Sequence, residues 1–504
     1  MDSAALSLPN DPEKLKAEVV QLRESVEEKK QRIEQLLDYI LLMRNRRFGS
    51  SSEQFNKDQS NLFDEAELEA LLEEIEIPAA DEALAPVEAQ KAREKKRPVR
   101  RPLPEHYNRI EKIIDLPDAE KAAMGDDWTF IGYDTSEQLA VIPRQYYVIA
   151  YKRAKYVPKN DDVAGAEQGV IIAPRADQII PKSIAHSSVI ADVVTRKFVD
   201  GLPFYRQEKI YAREGVDLSR QTMSGWVMQL EEKLSPLMAA MKRQLYEGKV
   251  LHIDETRLQV LNEPGRDNKQ LSYIWVYVGG PPDKPVVWHQ YADSRGGHVP
   301  VEFLYPEKET GEVDPDWSLS LMTDGYSGYN ALREMPGIER HAACMAHARR
   351  KFVEAAQGRK NQAAAHQMVA LIGKLYLIER SVKDMTPEER QAIRQEQAKP
   401  ILEKIKSWLD SKASKVLPKS LLGKAVHYTL GLWPQLTVYL EDGNIPIDNN
   451  RAENAIRPFV IGRKNFLFSG SPRGAHASTT LYSLVETAKA NDLEPWAYLN
   501  YLFE

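Results

Sequence analysis

Cysteine is almost absent: the 504 residues contain one, Cys344. An intrachain disulfide is therefore impossible, as is a zinc module built on four cysteines or on two cysteines and two histidines. A reducing, cytoplasmic setting is expected. Long apolar runs are missing too: no window approaches the roughly 18 uncharged apolar residues that span a bilayer. The N-terminal MDSAALSLPNDPEK lacks the basic-then-apolar order of a secretion signal, so neither membrane insertion nor secretion is expected. Nor does one sign of charge prevail. With 68 Lys plus Arg against 74 Asp plus Glu, the net of −6 excludes a uniformly basic, histone-like mode of nucleic-acid binding. At about 150 residues per domain the length suggests about three structured units.

Charge and periodicity are unevenly distributed. Val19, Val26, Ile33 and Ile40 occupy one heptad position, with Leu15, Leu22, Leu36 and Met43 at the other and only Lys29 interrupting. β-branched residues at a with Leu at d favour a parallel two-stranded coiled coil, expected over 10–47, and the lone polar core residue can fix its register. An acidic linker follows. Its sign reverses in a basic arm (48–101 together), where Lys91, Arg93, Lys95, Lys96, Arg97, Arg100 and Arg101 alternate with Pro98 and Pro102. Proline keeps such a segment extended, so its cations can follow a phosphate backbone or enter a minor groove.

Short β-rich runs between 102 and 180 indicate a small β module. Over 181–235, PFYRQEKIYAREGVDLSRQTMSGWVMQL predicts a helix to about Arg213, a turn at Gly215, and a helix capped by Ser219. That is helix-turn-helix spacing, with Arg220, Gln221 and Ser224 facing DNA.

After Lys249 the pattern becomes strand-like. VLHIDETRLQV, LSYIWVYVGG and PVVWHQY, a helix at His298 to Leu304 and the strand SLSLMTDG give a β-β-β-α-β order. This is the opening of a ribonuclease H-like fold, in which the first and fourth strands are neighbours. Asp254 is expected at the end of the first and Asp324 at the end of the fourth. An ionised carboxylate at the end of a buried strand must be paired or metal-bound, and two on adjacent strands repel unless a divalent cation bridges them. DNNRAENAIRPF supplies a third: Asp448 and Asn449 cap a helix on which Glu453 lies one turn in. Asp324 follows Asp254 by 70 residues, but Glu453 follows Asp324 by 129, so an all-α insertion is expected over 346–445. The catalytic core then comprises 245–345 and 446–475, with a helical segment at 476–504. Within the insertion, Thr386 and Glu389 predict a capping box opening a helix to about Leu409. Glu255 alternates to the other strand face and is left outside the site. Glu486 is the alternative should Glu453 be only a helix-start residue. Cys344 and His347 form a C-x2-H pair, two ligands being too few for structural zinc. Arg451, Arg457, Arg463, Lys464 and Arg473, with Phe466 and Phe468, are suited to DNA strand ends.

RRFGSSSEQ, LPFYRQEKIYAREGVDLSRQTMSGWV, HIDET, MTDGYSGYN, AACMAHARRKF and DNNRAENAIRPFVIGRKNFLFSGSPRGAHASTTLYSLVETAKAN resemble the IS66 family of bacterial DDE transposases over nearly the whole chain. The resemblance implies Asp254, Asp324 and Glu453 as the triad and Mg2+ as the metal, with Mn2+ as a substitute. It also implies a zinc-finger-like module before the helix-turn-helix, and small accessory proteins encoded by the same element. Here the sequence departs from the family. Both Cys pairs are missing where KAAMGDDWTF and RAKYVPKNDD stand, so the module is expected to be degenerate and to hold no zinc.

The expected architecture is multidomain α/β: a ribonuclease H-like core with an all-α insertion, preceded by coiled coil, degenerate β module and helix-turn-helix. The expected function is transposition. A bacterial, nucleoid-associated enzyme would bind terminal inverted repeats, hydrolyse the element ends and join the 3′-hydroxyls to target DNA, its subunits paired through the coiled coil. A ribonuclease H-like nuclease or resolvase that cuts without joining would carry the same carboxylates. A non-catalytic DNA-binding descendant of a transposase would not need them.

Overall fold

A computed structural model describes residues 170–305, 318–357 and 362–504 without a break, together with 109–117, 145–156 and scattered positions among 16–37 and 133–139. Two compact units separate, Glu76–Ala176 and the remainder. In the first, Lys155–Tyr156 pairs antiparallel with Ile171–Ile172. Arg97, Arg100 and Arg101 of the basic arm lie outside the described residues. The described residues between 16 and 37 are helical, with Leu22, Val26 and Ile33 of the heptad exposed.

From residue 177 on, three helices come first: α1 (Ser187–Phe198), α2 (Phe204–Arg213) and α3 (Arg220–Leu245). Gly215 takes a positive φ of 81° in the turn between α2 and α3, a conformation open to glycine at no steric cost. Ser219 Oγ accepts from the Thr222 amide at 3.2 Å and caps α3. Met223, Trp226, Val227, Leu230 and Leu234 are buried at helical spacing. The helix continues to Leu245, ten residues past the expected boundary at 235.

The sheet follows: β1 (Val250–Val260), β2 (Leu271–Gly279), β3 (Val286–Ala292), the helix α4 (His298–Leu304), β4 (Leu319–Thr323) and β5 (Ile338–Ala343). Its order is β3-β2-β1-β4-β5, antiparallel from β3 to β1 and parallel from β1 to β5. Val250 to Ile253 are buried without alternation, as a central strand covered on both faces requires. The parallel register runs from Val250↔Ser320 to His252↔Met322 and then stops. A short strand β6 (Phe468–Ser469) rejoins that edge of β1 at Gln259 and Val260.

Helices close the sheet. α11 (Asn450–Phe466) packs on β1 and β2, and α12 (Pro472–Ala490) on β3. An open strand edge carries unpaired backbone groups, and hydroxyls of α12 satisfy those of β3. Ser483 Oγ accepts from the His289 amide at 2.8 Å, and Thr487 Oγ1 bonds both the amide and the carbonyl of Val287 at 3.0 Å. The last helix, α13 (Pro495–Phe503), packs on α1.

Between β5 and α11 the described residues are helical or turn: α5 (Met345–Gln357), α6 (Gln362–Ser381), α7 (Pro387–Ile393), α8 (Lys399–Ala413), α9 (Leu421–Gly431) and α10 (Trp433–Thr437). Thr386 and Glu389 make both bonds of the capping box. The helix they open is interrupted by a π turn at Arg394–Ala398, which carries the buried Arg394, before ending at Ala413 rather than Leu409. Its core is continuous with the sheet, since Val250, Met322, Ala342 and Ala343 join Phe352, Met368, Leu402 and Val426 in one apolar cluster.

His289 on β3 and His341 on β5 are buried, and burial lowers their pKa values to about 3 and about 4. Both are depressed below the ordinary 6.5. Their contribution to stability is therefore present above pH 6.5 and is lost as pH falls toward 4. Urea unfolding at pH 5 is expected to show about 2 kcal/mol less stability than at pH 7 for each such histidine, and His289→Phe should reduce the loss by its own share of about 2 kcal/mol.

Candidate active site

Asp254 lies within β1 rather than at its expected end, because the antiparallel pairing with β2 carries the strand on to Val260, but it and Asp324 each lie two residues beyond the last parallel pair, His252↔Met322, which puts them level at the point where β1 and β4 part. Crevices at the carboxyl ends of parallel strands are where α/β sheets bind ligands. Asp254 is half-buried, and its Oδ1 accepts from the Glu255 amide at 2.9 Å. Burial, and then the charges of Glu255, Asp324 and Glu453, hold its pKa well above the usual carboxylate range. Asp324 Oδ1 accepts from the Tyr326 amide at 2.8 Å.

The Asp324 turn is braced by the helical insertion. Tyr428 on α9 donates its hydroxyl to the Asp324 carbonyl at 2.7 Å. Gly325 has φ +89°, a conformation that calls for glycine, and the Leu432 side chain lies against the place a Cβ would take.

The edge of β1 left open between its pairings with β4 and β6 is filled by side chains of α11. Arg463 Nη1 donates to the Arg257 carbonyl and lies 3.4 Å from Thr256 Oγ1. At the other end, Asn449 Nδ2 donates to the Ile253 carbonyl and Oδ1 accepts from His252 Nδ1, both at 2.9 Å. Asn449 precedes α11, but its side chain does not cap it. The amide is instead drawn across to β1, because a buried carbonyl and a neutral buried His252 otherwise lack partners. Asp448 accepts from the Asn450 amide at 3.2 Å. Asn449→Ala is expected to cost about 2–3 kcal/mol in chemical denaturation by orphaning the His252 and Ile253 groups. By loosening the first turn of α11 it should also slow any reaction needing Glu453 by about tenfold to a hundredfold, measured as single-turnover rate.

Glu453 is 4% exposed in that first turn. Its Oε1 lies 3.5 Å from His347 Nδ1 and 4.0 Å from Cys344 Sγ, and its Oε2 lies 3.5 Å from Arg350 Nη2. Burial, then Glu453 and Asp448, push the Cys344 thiol up, while burial and then Arg350 lower His347 to about 3.

Glu255 has a side chain 2% exposed. Arg295 Nε and Nη2 donate to its Oε1 at 2.8 and 2.7 Å, and the Tyr329 hydroxyl bonds its Oε2. Arg295 in turn lies 4.0 Å over the Tyr326 ring. Burial opposes its charge, but Glu255 and Asp324 nonetheless raise its pKa. This brace ties β1 to the turn after Asp324. Sequence reading missed Arg295, Tyr326, Tyr329, Tyr428 and Arg350; the runs MTDGYSGYN and AACMAHARRKF contain Tyr326, Tyr329 and Arg350, and no signal marked Arg295 or Tyr428.

Glu486 sits on α12, buried and bonded to Lys489 at 2.8 Å. Of the expected DNA contacts, Arg220, Gln221 and Lys464 are exposed, Ser224 and Arg457 are half-buried, and Arg463 is engaged with β1 as described. Phe466 is half-buried against Phe459 and Lys197, and Phe468 is exposed.

A mixed sheet with carboxylates gathered where two parallel strands part and a helix begins fits the core of a DDE transposase. Family models described as "Transposase IS66 family", "Transposase C of IS166 homeodomain" and "IS66 C-terminal element" match residues 182–477, 35–111 and 483–504. Three uncharacterized proteins of Sinorhizobium fredii (strain NBRC 101917 / NGR234) are similar. The protein y4qI is 31% identical over 498 residues (96% of this chain, 88% of that protein), y4hP 28% over 469 (87% and 80%), and y4jD 30% over 407 (79% and 76%). The chain belongs to the IS66 family of transposases.

Proposed function

We propose that this transposase acts by the DDE route on a ribonuclease H-like core, cutting the ends of its element and joining the freed 3′-hydroxyls to target DNA. The observation that carries the reading is that Asp324, at the end of β4, and Glu453, on α11, lie near enough to Asp254 on β1 to raise its pKa. These residues fit a hard divalent cation, because Asp254 is repelled by three neighbouring carboxylates, a repulsion that such a cation relieves. Mg2+, or Mn2+ in its place, would be held by Asp254, Asp324 and Glu453, activating the attacking oxygen and stabilising the leaving one.

The chain's own groups orient the reactants. Tyr428 and the Gly325 turn hold Asp324, and Asn449 fixes the helix that bears Glu453. Arg295, with a side chain 40% exposed beside Asp324, is placed to take a phosphate oxygen near the cut. Arg220 and Gln221 at the start of α3, with Ser224 beside them, read the terminal repeats, assisted by Arg97, Arg100 and Arg101 of the basic arm. Lys464 and Arg457 contact the strand ends, where Arg463 serves mainly to hold β1. The exposed Leu22, Val26 and Ile33 pair with a second copy, so that one assembly holds both ends.

Uncut and pre-cut oligonucleotides carrying the element's terminal repeat, incubated with supercoiled target DNA, Mg2+ and the element's accessory proteins, test the reading. Joined product is expected. Cleavage without joining would establish a nuclease or resolvase, and sequence-specific binding without either would establish a non-catalytic DNA-binding protein.

A further inference from the structure

We propose that Cys344, His347 and Glu453 form a site for a thiophilic divalent cation of the zinc class, distinct in chemistry from the Mg2+ site although Glu453 belongs to both. The C-x2-H pair is too small a ligand set by itself, and the tertiary structure adds the third donor from a residue more than a hundred positions away. Sγ, the imidazole nitrogen and the carboxylate oxygen all lie within 4.8 Å of one another. Metal–ligand bonds of about 2.0–2.3 Å imply tetrahedral edges of about 3.3–3.8 Å, so the 3.5 and 4.0 Å separations need little closure.

Two independent observations point to a ligand rather than to ordinary packing. His347 Nδ1 is buried from solvent and, among the described residues, has no hydrogen-bond partner, although it faces the carboxylate. Buried imidazole nitrogens are rarely left so. The sulfur, in turn, is surrounded by donors: the Asn449 amide donates to Sγ at 3.2 Å and the His347 amide donates to it as well. These amides oppose the burial and carboxylate charges that hold the thiol protonated without metal, and a bound dication would displace its proton. One thiolate and one carboxylate neutralise a dication, which a buried site needs, and Arg350 remains on the second carboxylate oxygen. A soft sulfur beside imidazole selects Zn2+ or Co2+ over Mg2+. The ion would join the end of β5, the first turn of α5 and the first turn of α11.

A single cysteine makes the test specific, because any sulfur-to-cobalt charge-transfer band must come from Cys344. Co2+ titrated into the full chain under excess Mg2+ is expected to give that band at one equivalent, with Zn2+ displacing it and raising the melting temperature. Cys344→Ser should abolish the band, and His347→Ala should weaken Co2+ binding by at least about a hundredfold, the loss of one of three ligands. His347→Ala carries the test if Cys344→Ser does not fold. Asp254→Asn should leave the band intact, which separates this site from the catalytic reading: strand transfer can fail while the band persists, and the reverse. No band in the wild-type chain, or an unchanged affinity in His347→Ala, overturns the proposal.

Discussion

Asp254→Asn is expected to reduce end cleavage and strand transfer together by about a thousandfold or more, because it removes a carboxylate from the proposed Mg2+ site. A loss of about 4 kcal/mol of transition-state stabilisation corresponds to that factor. The same substitution should raise the melting temperature of the metal-free protein. Half-buried Asp254 faces the charges of Glu255, Asp324 and Glu453, and neutralising it removes a repulsion that the fold otherwise bears. Opposite signs for activity and stability mark a residue kept for chemistry rather than for folding. Paired measurements of single-turnover rate and thermal unfolding in chelator check both. A stable, fully active Asp254→Asn protein would remove Asp254 from the site.

Arg394→Ala is expected to destabilise the protein by about 3–5 kcal/mol. The guanidinium is 1% exposed and forks onto Glu379 at 2.8 and 2.7 Å. Its Nη1 also donates to the carbonyls of Tyr439, Asp442 and Ile445. Truncation leaves a carboxylate and three carbonyls in a poorly solvated place without their donor. Those carbonyls belong to the segment leading into Asp448 and α11, so the damage should reach activity through the position of Glu453. A double substitution, Arg394→Met with Glu379→Leu, should cost less than Arg394→Ala alone, since no unpaired charge remains. Urea unfolding of Arg394→Ala, Arg394→Met, Glu379→Leu and the double variant measures this, and additive losses in the double would mean that the pair is not coupled.

Much of the fold was legible in the sequence because it depends on local rules. VLHIDETRLQV reads as a strand from its apolar and β-branched residues, and Ser219, Thr386 and Glu389 cap helices through bonds that span three residues. The π turn at Arg394 escaped notice, because its partners lie about fifteen and fifty residues away. Asn449 was legible as a helix-start residue but not as a link to β1, since the capping bond and the cross-chain bonds compete and only packing settles which forms. Glu255 was placed on the far face of β1 by alternation. That it braces Arg295 and Tyr329 depends on contacts 40 and 74 residues distant.

By itself, then, the sequence determined the strand or helix character of much of the chain from residue 187 onward, including the β-β-β-α-β order from Val250 to Thr323 and the helical pattern between β5 and α11, because period, capping and turn chemistry act over a few residues. Only the tertiary structure decided how β1's open edge is closed by Asn449 and Arg463, and how Tyr428 reaches from the insertion to the Asp324 turn. It alone also turned Glu453 toward Cys344, His347 and Arg350. The reason is physical: a buried polar group takes whichever partner folding brings within about 3 Å, and that choice is made by packing across hundreds of residues.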